Sequence, residues 1–180
     1  MSRIGYGFRA PRRAPARGWG ARLAALIGLL TALPALLPVA AAPRLARSFT
    51  GVVTQVVDGD TIRVRIDDRV EKVRYIGMDT PETKHPFRAP EPGGTEAAAL
   101  NYRLVMGKTV RLELDVRERD RYQRLLAYVY VGDLMVNAEL VRLGYAHAVT
   151  VPPNVAHAQW FVSLEREARE AGRGLWGPAP

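Results

Sequence analysis

Apolar and polar side chains alternate without exception in Thr61-Ile62-Arg63-Val64-Arg65-Ile66. Only a β-strand sends successive side chains to opposite faces, so this run must form a strand with one face in a core and the other wet and positive. It follows Asp58-Gly59, a dipeptide favoured in tight hairpins, where both turn positions take positive φ. The pattern predicts strands over Phe49–Val57 and Asp60–Ile66, then, after a turn at Asp67-Asp68-Arg69, over Val70–Met78. Thr109–Val116 and Leu125–Val131 have the same β-branched, short character and bring the number to five.

Helical spacing appears between and after these strands. Thr95–Met106 starts on a candidate N-cap and stops at Gly107, and Met135–Leu143 is closed by Gly144. Ala156–Ala171 puts Trp160, Phe161, Leu164, Ala168 and Ala171 on one face, with Glu165, Arg166, Arg169 and Glu170 elsewhere, and ends at Gly172. The aromatic residues of that face read as core packing rather than a stacking platform for bases. Three strands, a helix, two strands and two helices make an α+β order. A five-stranded antiparallel sheet this short curls into a small barrel that removes its own edges, so the expected fold is a five-stranded OB-fold β-barrel with three α-helices.

Ahead of this body the chain has a different character. Residues 1–22 hold six arginines and no acid, and residues 23–43 carry no charge at all, are rich in Leu and Ala, and contain Val39-Ala40-Ala41-Ala42. That is the build of an export signal cleaved before Ala42. Twenty-one uncharged residues also approach the length that crosses a bilayer, although Pro34 and Pro38 interrupt them. Residues 1–42 are thus expected to be a signal peptide or an uncleaved membrane anchor, and residues 43–180 a single domain. Arginines on the N-terminal side stay in the cytoplasm in either case, so the body is expected to be exported, secreted or periplasmic. The leader also explains the charge. Of 26 Lys and Arg, 20 remain in the body against all 18 Asp and Glu, so the overall excess is no evidence for a nucleic-acid surface, which must be argued locally. The absence of cysteine excludes a small disulfide scaffold.

Polar residues that break the strand pattern cluster at strand ends: Asp58-Gly59-Asp60-Thr61, Arg74, Asp79-Thr80-Pro81-Glu82, and Asp120-Arg121-Tyr122-Gln123-Arg124. Acids beside arginines suit a hard metal ion next to an anion clamp, because carboxylate and carbonyl oxygens favour Ca2+, Mg2+ or Mn2+. Taken singly each has a plainer reading: Asp-Gly as a turn, Thr-Pro-Glu as a helix start, Arg74 as a solvated or ion-paired side chain.

In combination they resemble the staphylococcal nuclease family. Asp58-Gly59-Asp60-Thr61-Ile62, Arg74 and Asp79-Thr80-Pro81-Glu82 match the opening signature of that family, and Asp120–Tyr130 its second. Thr83-Lys84-His85-Pro86, Met135-Val136-Asn137 and Gly174-Leu175-Trp176 are also similar, so the likeness runs from about Phe49 to Trp176. The resemblance implies a nuclease hydrolysing phosphodiester bonds of DNA or RNA; a monomer is expected, and single strands are the expected substrates because a shallow barrel face reaches an unpaired backbone more easily than one inside a duplex. The resemblance also implies that Asp60, Asp79 and the carbonyl of Thr80 hold Ca2+, that Glu82 is the general base, and that Arg74 and Arg124 bind the scissile phosphate. It further implies that Arg121 and Tyr122 touch the terminal phosphate and base; Asp58 is expected to shape the turn and support the ligands rather than bind the ion itself.

The chemistry is coherent with those assignments. Hydrolysis of an anionic diester needs charge cancelled on the non-bridging oxygens and a proton removed from water, and guanidinium forks, a metal and a carboxylate do both. Several positions depart from the family pattern. Gln123 and Leu125 stand where Gly is common, Tyr75 replaces an aliphatic residue, and His147–Pro153 has no tyrosine where the family's nucleotide pocket carries them. Phe87–Gly94 reads equally as an active-site flank and as a plain surface loop. Two other readings use the same residues: an OB-type binding module without chemistry, which would not need all five of Asp60, Asp79, Glu82, Arg74 and Arg124, and a membrane-tethered interaction protein resting on the leader alone.

Overall fold

The computed structural model describes residues 47–83, 89 and 91–177. Segment 1–42, read above as signal or anchor, and residues 84–88 and 90 of the loop before the first helix lie outside them. The described residues belong to one compact unit, Ala42–Pro180. In chain order the elements are β1 (Ser48–Asp58), β2 (Thr61–Ile66), β3 (Arg69–Tyr75), β4 (Met78–Asp79), α1 (Gly94–Val105), β5 (Thr109–Glu113), β6 (Leu125–Val131), β7 (Leu134–Met135), α2 (Val136–Arg142), β8 (His147–Ala148) and α3 (Ala158–Glu170), followed by a 3-10 turn at Gly174–Trp176.

Five of these strands close on themselves: β1 pairs with β2 and β5, β2 with β3, and β5 with β6, all antiparallel, while β3 meets β6 in parallel. The architecture is α+β, an OB-type barrel with three helices. It is mixed rather than wholly antiparallel, and arithmetic requires it: strand directions cannot alternate around a closed ring with an odd number of members. β1 is long enough to serve two partners. Ser48–Val52 pairs with β5 and Val52–Asp58 with β2, with register shifts after Val53 and Val56 that bend the strand around the corner.

The alternation in β2 resolves as its pattern requires, with Ile62 and Val64 fully buried and Arg63 and Arg65 exposed. They meet Val73 and Tyr75 of β3, Val110 and Leu112 of β5, Ala127 and Val129 of β6, and Phe161 and Leu164 of α3 in one core. Burial of each such side chain contributes about 1.5–3 kcal/mol.

Local expectations fail in four places. The turn falls on Gly59 and Asp60, and neither Asp58 nor Gly59 has positive φ; the left-handed turn residue is Asp67, φ 51°, in the next hairpin. Val70–Met78 is not one strand, because Gly77 at φ 80° breaks it and leaves space for Phe161, whose Cε2 would lie 2.2 Å from a Cβ there. The α1 helix begins at Gly94 rather than after Thr95, with Gly93 in the cap position; a Cβ on Gly94 would be 2.8 Å from the Pro81 carbonyl oxygen. On α3, Phe161, Leu164 and Ala168 are core, but Trp160 is 45% exposed and Ala171 is also outside. Trp160 lies stacked on Phe161 at a centroid distance of 5.9 Å, so it covers the core instead of entering it.

Candidate active site

Asp60 is the last residue of the turn between β1 and β2, and Arg74 lies opposite Thr61 near the end of β3. The backbone fixes that juxtaposition: the Tyr75 amide donates to the Asp60 carbonyl at 2.9 Å. Arg74 points out of the barrel between the buried Val73 and Tyr75, and its guanidinium bridges two carboxylates. Nη1 donates to Asp60 Oδ1 at 2.7 Å and Nη2 to Asp79 Oδ1. Asp60 is almost fully buried and also accepts from the Thr61 hydroxyl at 2.9 Å and the Thr80 amide at 3.3 Å. Burial pushes its carboxyl above the usual range against the opposing pull of Arg74, Thr61 and Thr80. Asp79 remains half exposed, held in place by the β4–β8 pairing of Asp79 with His147.

Asp58 organises the turn. Its Oδ1 accepts from the Gly59 amide at 2.8 Å and the Thr83 hydroxyl at 2.9 Å, tying the β1–β2 turn to the segment after β4. Gly59 permits the close approach, since a Cβ would lie 2.7–2.9 Å from the Thr80 side chain. Thr80 Oγ1 is buried there without a hydrogen-bond partner.

The second arginine comes from the other side of the barrel seam. Arg124 sits just before β6, with its Nε donating to Asp120 Oδ2 at 2.6 Å and its amide to Asp120 Oδ1 at 2.9 Å. Burial raises the Asp120 carboxyl, but these bonds and the Tyr122 amide outweigh it and hold the group below its ordinary value. Gln123 occupies this turn at φ 62°, a region that costs a non-glycine residue about 1–2 kcal/mol, which is the physical reason for glycine being common there. Leu125 is buried beside Val73, and the Tyr75 hydroxyl donates to Asn101 Oδ1 at 2.8 Å, so both other departures are packing solutions.

A cleft of about 610 Å³ joins the pieces, lined by Arg74, Asp79, Asp120, Arg121, Tyr122 and Arg124 among others. The Arg121 and Arg124 guanidiniums lie 4.8 and 5.5 Å from the centroid of the exposed Tyr122 ring. The wall from Val149, Val151, Pro152 and Pro153 is apolar, whereas His147 does not line the cleft. Glu82 does not line it either. It is exposed, and its backbone is latched to Glu91: the Glu82 amide donates to Glu91 Oε2 at 3.0 Å and the Glu91 amide to the Glu82 carbonyl at 2.9 Å. Among the described residues no three Asp, Glu, His or Cys side chains converge as a metal centre.

The sequence pattern of the staphylococcal nuclease homologue family matches residues 72–178, which include Arg74, Asp79–Glu82 and Arg124 and begin after the Asp58–Ile62 turn. The chain belongs to the staphylococcal nuclease family. It is 38% identical over 131 residues to a thermonuclease of Staphylococcus hyicus, covering 73% of this chain and 78% of that protein. It is 41% identical over 122 residues to the SPbeta prophage-derived endonuclease YokF of Bacillus subtilis (strain 168), covering 67% and 41%. Endonuclease YncB of the same organism is 39% identical over 122 residues, covering 67% and 58%.

Within this family member, Asn101 and Asn137 are fully buried supports to which the sequence assigned no role. Asn101 Nδ2 donates to the Asp58 carbonyl at 3.0 Å. Asn137 accepts from the Val129 amide at 2.8 Å and donates to the Ile76 carbonyl at 2.9 Å, joining β6 to the exit of β3. Apolar surroundings make such fully bonded amides rigid anchors. The advance signal for Asn101 was an amide residue inside an otherwise apolar helical face, and for Asn137 its place in the Met135-Val136-Asn137 likeness. Asp120 was visible in the second signature, but its grip on Arg124 was not assigned.

Proposed function

We propose that this protein is a nuclease that hydrolyses phosphodiester bonds of DNA or RNA with Ca2+ as cofactor, and that it is exported by residues 1–42 and acts as a monomer. The observation that carries the reading is the presentation of two arginines from separate strands, Arg74 and Arg124, on one cleft beside the buried carboxylate of Asp60. A binding module has no use for a carboxylate kept in a desolvated position at that point. The printed names of the relatives, thermonuclease and endonuclease, support the same reading.

The donor set fits a hard cation. Asp60 and Asp79 are brought together by one guanidinium, the Thr80 hydroxyl next to them is buried and unpartnered, and all the donors are oxygen. Ca2+ accepts such a sparse set because water and phosphate complete its six to eight ligands. When bound it supplies positive charge against the non-bridging phosphate oxygens. The remaining roles fall to the chain's own side chains. Arg74 and Arg124 donate paired N–H bonds to the phosphate, which Lys could not match. Glu82, exposed on the segment after β4, would take a proton from the attacking water; as the water oxygen bonds to phosphorus the bond to the 5′ oxygen breaks, that oxygen takes a proton from solvent to leave as the alcohol, and a 3′-phosphate remains. Tyr122 offers a ring to a base, with Arg121 above it for the terminal phosphate.

Glu82→Gln tests the reading. Loss of a general base typically costs about 10²–10⁴ in rate, so turnover on single-stranded DNA should collapse while oligonucleotide affinity and thermal stability stay near wild type. Activity that persists in excess chelator would remove the cation, and wild-type turnover in the Gln variant would remove Glu82.

A further inference from the structure

On the outer face of the β2–β3 hairpin the cross-strand partners are Thr61 with Arg74, Arg63 with Lys72, and Arg65 with Val70. Ile62, Val64 and Val73 alternate with them and fill the barrel, so Arg63, Arg65 and Lys72 all stand on the wet side, and all three are exposed. Arg63 and Lys72 are like charges placed directly opposite one another, an arrangement that destabilises a sheet. Among the described residues none of the three has an ion-pair partner. Their neighbours across β1 are Gln55 and Val52. Glu71 lies on the opposite side of β3, facing Val64, and both its oxygens are held by Arg119. Asp67 and Asp68 mark the hairpin tip, beyond the row.

The row also continues toward the cleft. In the parallel β3–β6 pair Val73 stands beside Leu125, and Lys72 and Arg124 are the residues immediately before that pair in the chain. Arg124, Lys72 and Arg63 therefore run across neighbouring strands from the cleft wall, and Arg65 extends the row along β2. Four strand residues, from the level of Arg74 to that of Val70 and Arg65, span about 13 Å.

We propose that this face is a second, non-catalytic subsite that binds phosphates of the nucleic-acid strand whose scissile bond lies at Arg74 and Arg124. The proposal rests on the nuclease reading. Charge complementarity and continuity with the cleft identify the occupant. The face carries no aromatic residue, so it grips the backbone without reading bases, adding affinity and orientation but no sequence preference. The opposed cations are a stability cost that an anionic strand offsets.

The triple variant Arg63→Gln, Arg65→Gln, Lys72→Gln tests it, using fluorescence anisotropy of a labelled oligothymidylate of about 20 nucleotides, longer than the roughly 4–16 nucleotides a single OB fold covers. Titrated against salt in chelator, each lost phosphate contact on a single strand should shallow the log–log slope by about 0.7, hence about 2 in total. Cleavage of the same strand should show a raised KM with kcat retained, and a dinucleotide should be cut as by wild type. Lys72→Glu separates this from a structural role: it replaces a repulsion by an attraction, so melting temperature should rise while strand affinity falls. An unchanged slope and KM in the triple variant overturns the proposal, as does loss of binding to anionic phospholipid vesicles with none to the oligonucleotide. If wild type cuts nothing, the nuclease reading fails, and the anisotropy comparison still decides the subsite: weakened binding keeps it, equal binding ends it.

Discussion

At Gly59 a single absent carbon sets the distance between two parts of the site. The turn bearing Asp60 and the segment bearing Asp79 and Thr80 press together there, and an added Cβ would meet Thr80 Oγ1 at 2.7 Å and Cγ2 at 2.8 Å. Neither contact is with the tip of a long flexible side chain, so something in the site must move. Gly59→Ala is expected to cost about 1–3 kcal/mol of stability, the usual range for overpacking. Because the displaced segment carries Asp79, turnover should fall further than the stability loss alone explains. Thermal melting and steady-state kinetics on one preparation check this; wild-type turnover in a protein that melts several degrees lower would show that Thr80 yields without moving Asp79. The conformational argument usually made for glycine in Asp-Gly turns does not apply here, as Gly59 lacks positive φ. Its value is steric.

The turn between β5 and β6 is an element whose shape depends on one ionised side chain. Asp120 accepts from the Arg124 side chain and from the amides of Arg124 and Tyr122, and so orients both cleft residues. Its folded-state carboxyl lies below its ordinary value, so its stabilising contribution is complete above the unfolded value near 3.9 and is lost as pH falls through the folded value. Melting temperature should decline more steeply on acidification below about pH 4 in wild type than in Asp120→Asn, where no carboxylate remains to protonate; identical acid limbs would contradict the assignment. The same element shows what the sequence disclosed and what it withheld. Strand identity was legible because Ile62, Val64 and Val73 alternate with polar residues; the signatures set Asp60, Asp79 and Arg124 at strand ends, while Arg74, read as lying within a strand ending at Met78, comes near the end of β3 because the strand stops at Tyr75. The ion pairs of Arg74 with two aspartates and of Arg124 with Asp120 were not legible, because partner choice depends on side-chain reach after the barrel closes. Gly77 and Gly93 hid boundaries for a related reason: each leaves space for a distant residue, Phe161 or Leu175, that no local pattern names. Trp160 misled because periodicity gives the angle of a side chain around a helix, not the width of the face that is covered.

For the molecule as a whole, the proposed cation couples the site to global stability. A ligand that binds only the folded chain stabilises it by mass action, about 2.7 kcal/mol at a concentration roughly 100 times Kd. Added Ca2+ should therefore raise the melting temperature of wild type progressively and leave Asp60→Asn unmoved, and equal shifts in both proteins would place the ion elsewhere. The seam where β3 meets β6 has a consequence in time as well as in space. Arg74 belongs to β3 and Arg124 to a turn made about fifty residues later, and the pairing of Val73, Arg74 and Tyr75 with Leu125, Leu126 and Ala127 brings them to one cleft. Contacts so distant along the chain form slowly, after local ones. A chain that has not yet closed this seam thus carries every residue of both signatures without the cleft that Arg74 and Arg124 line together.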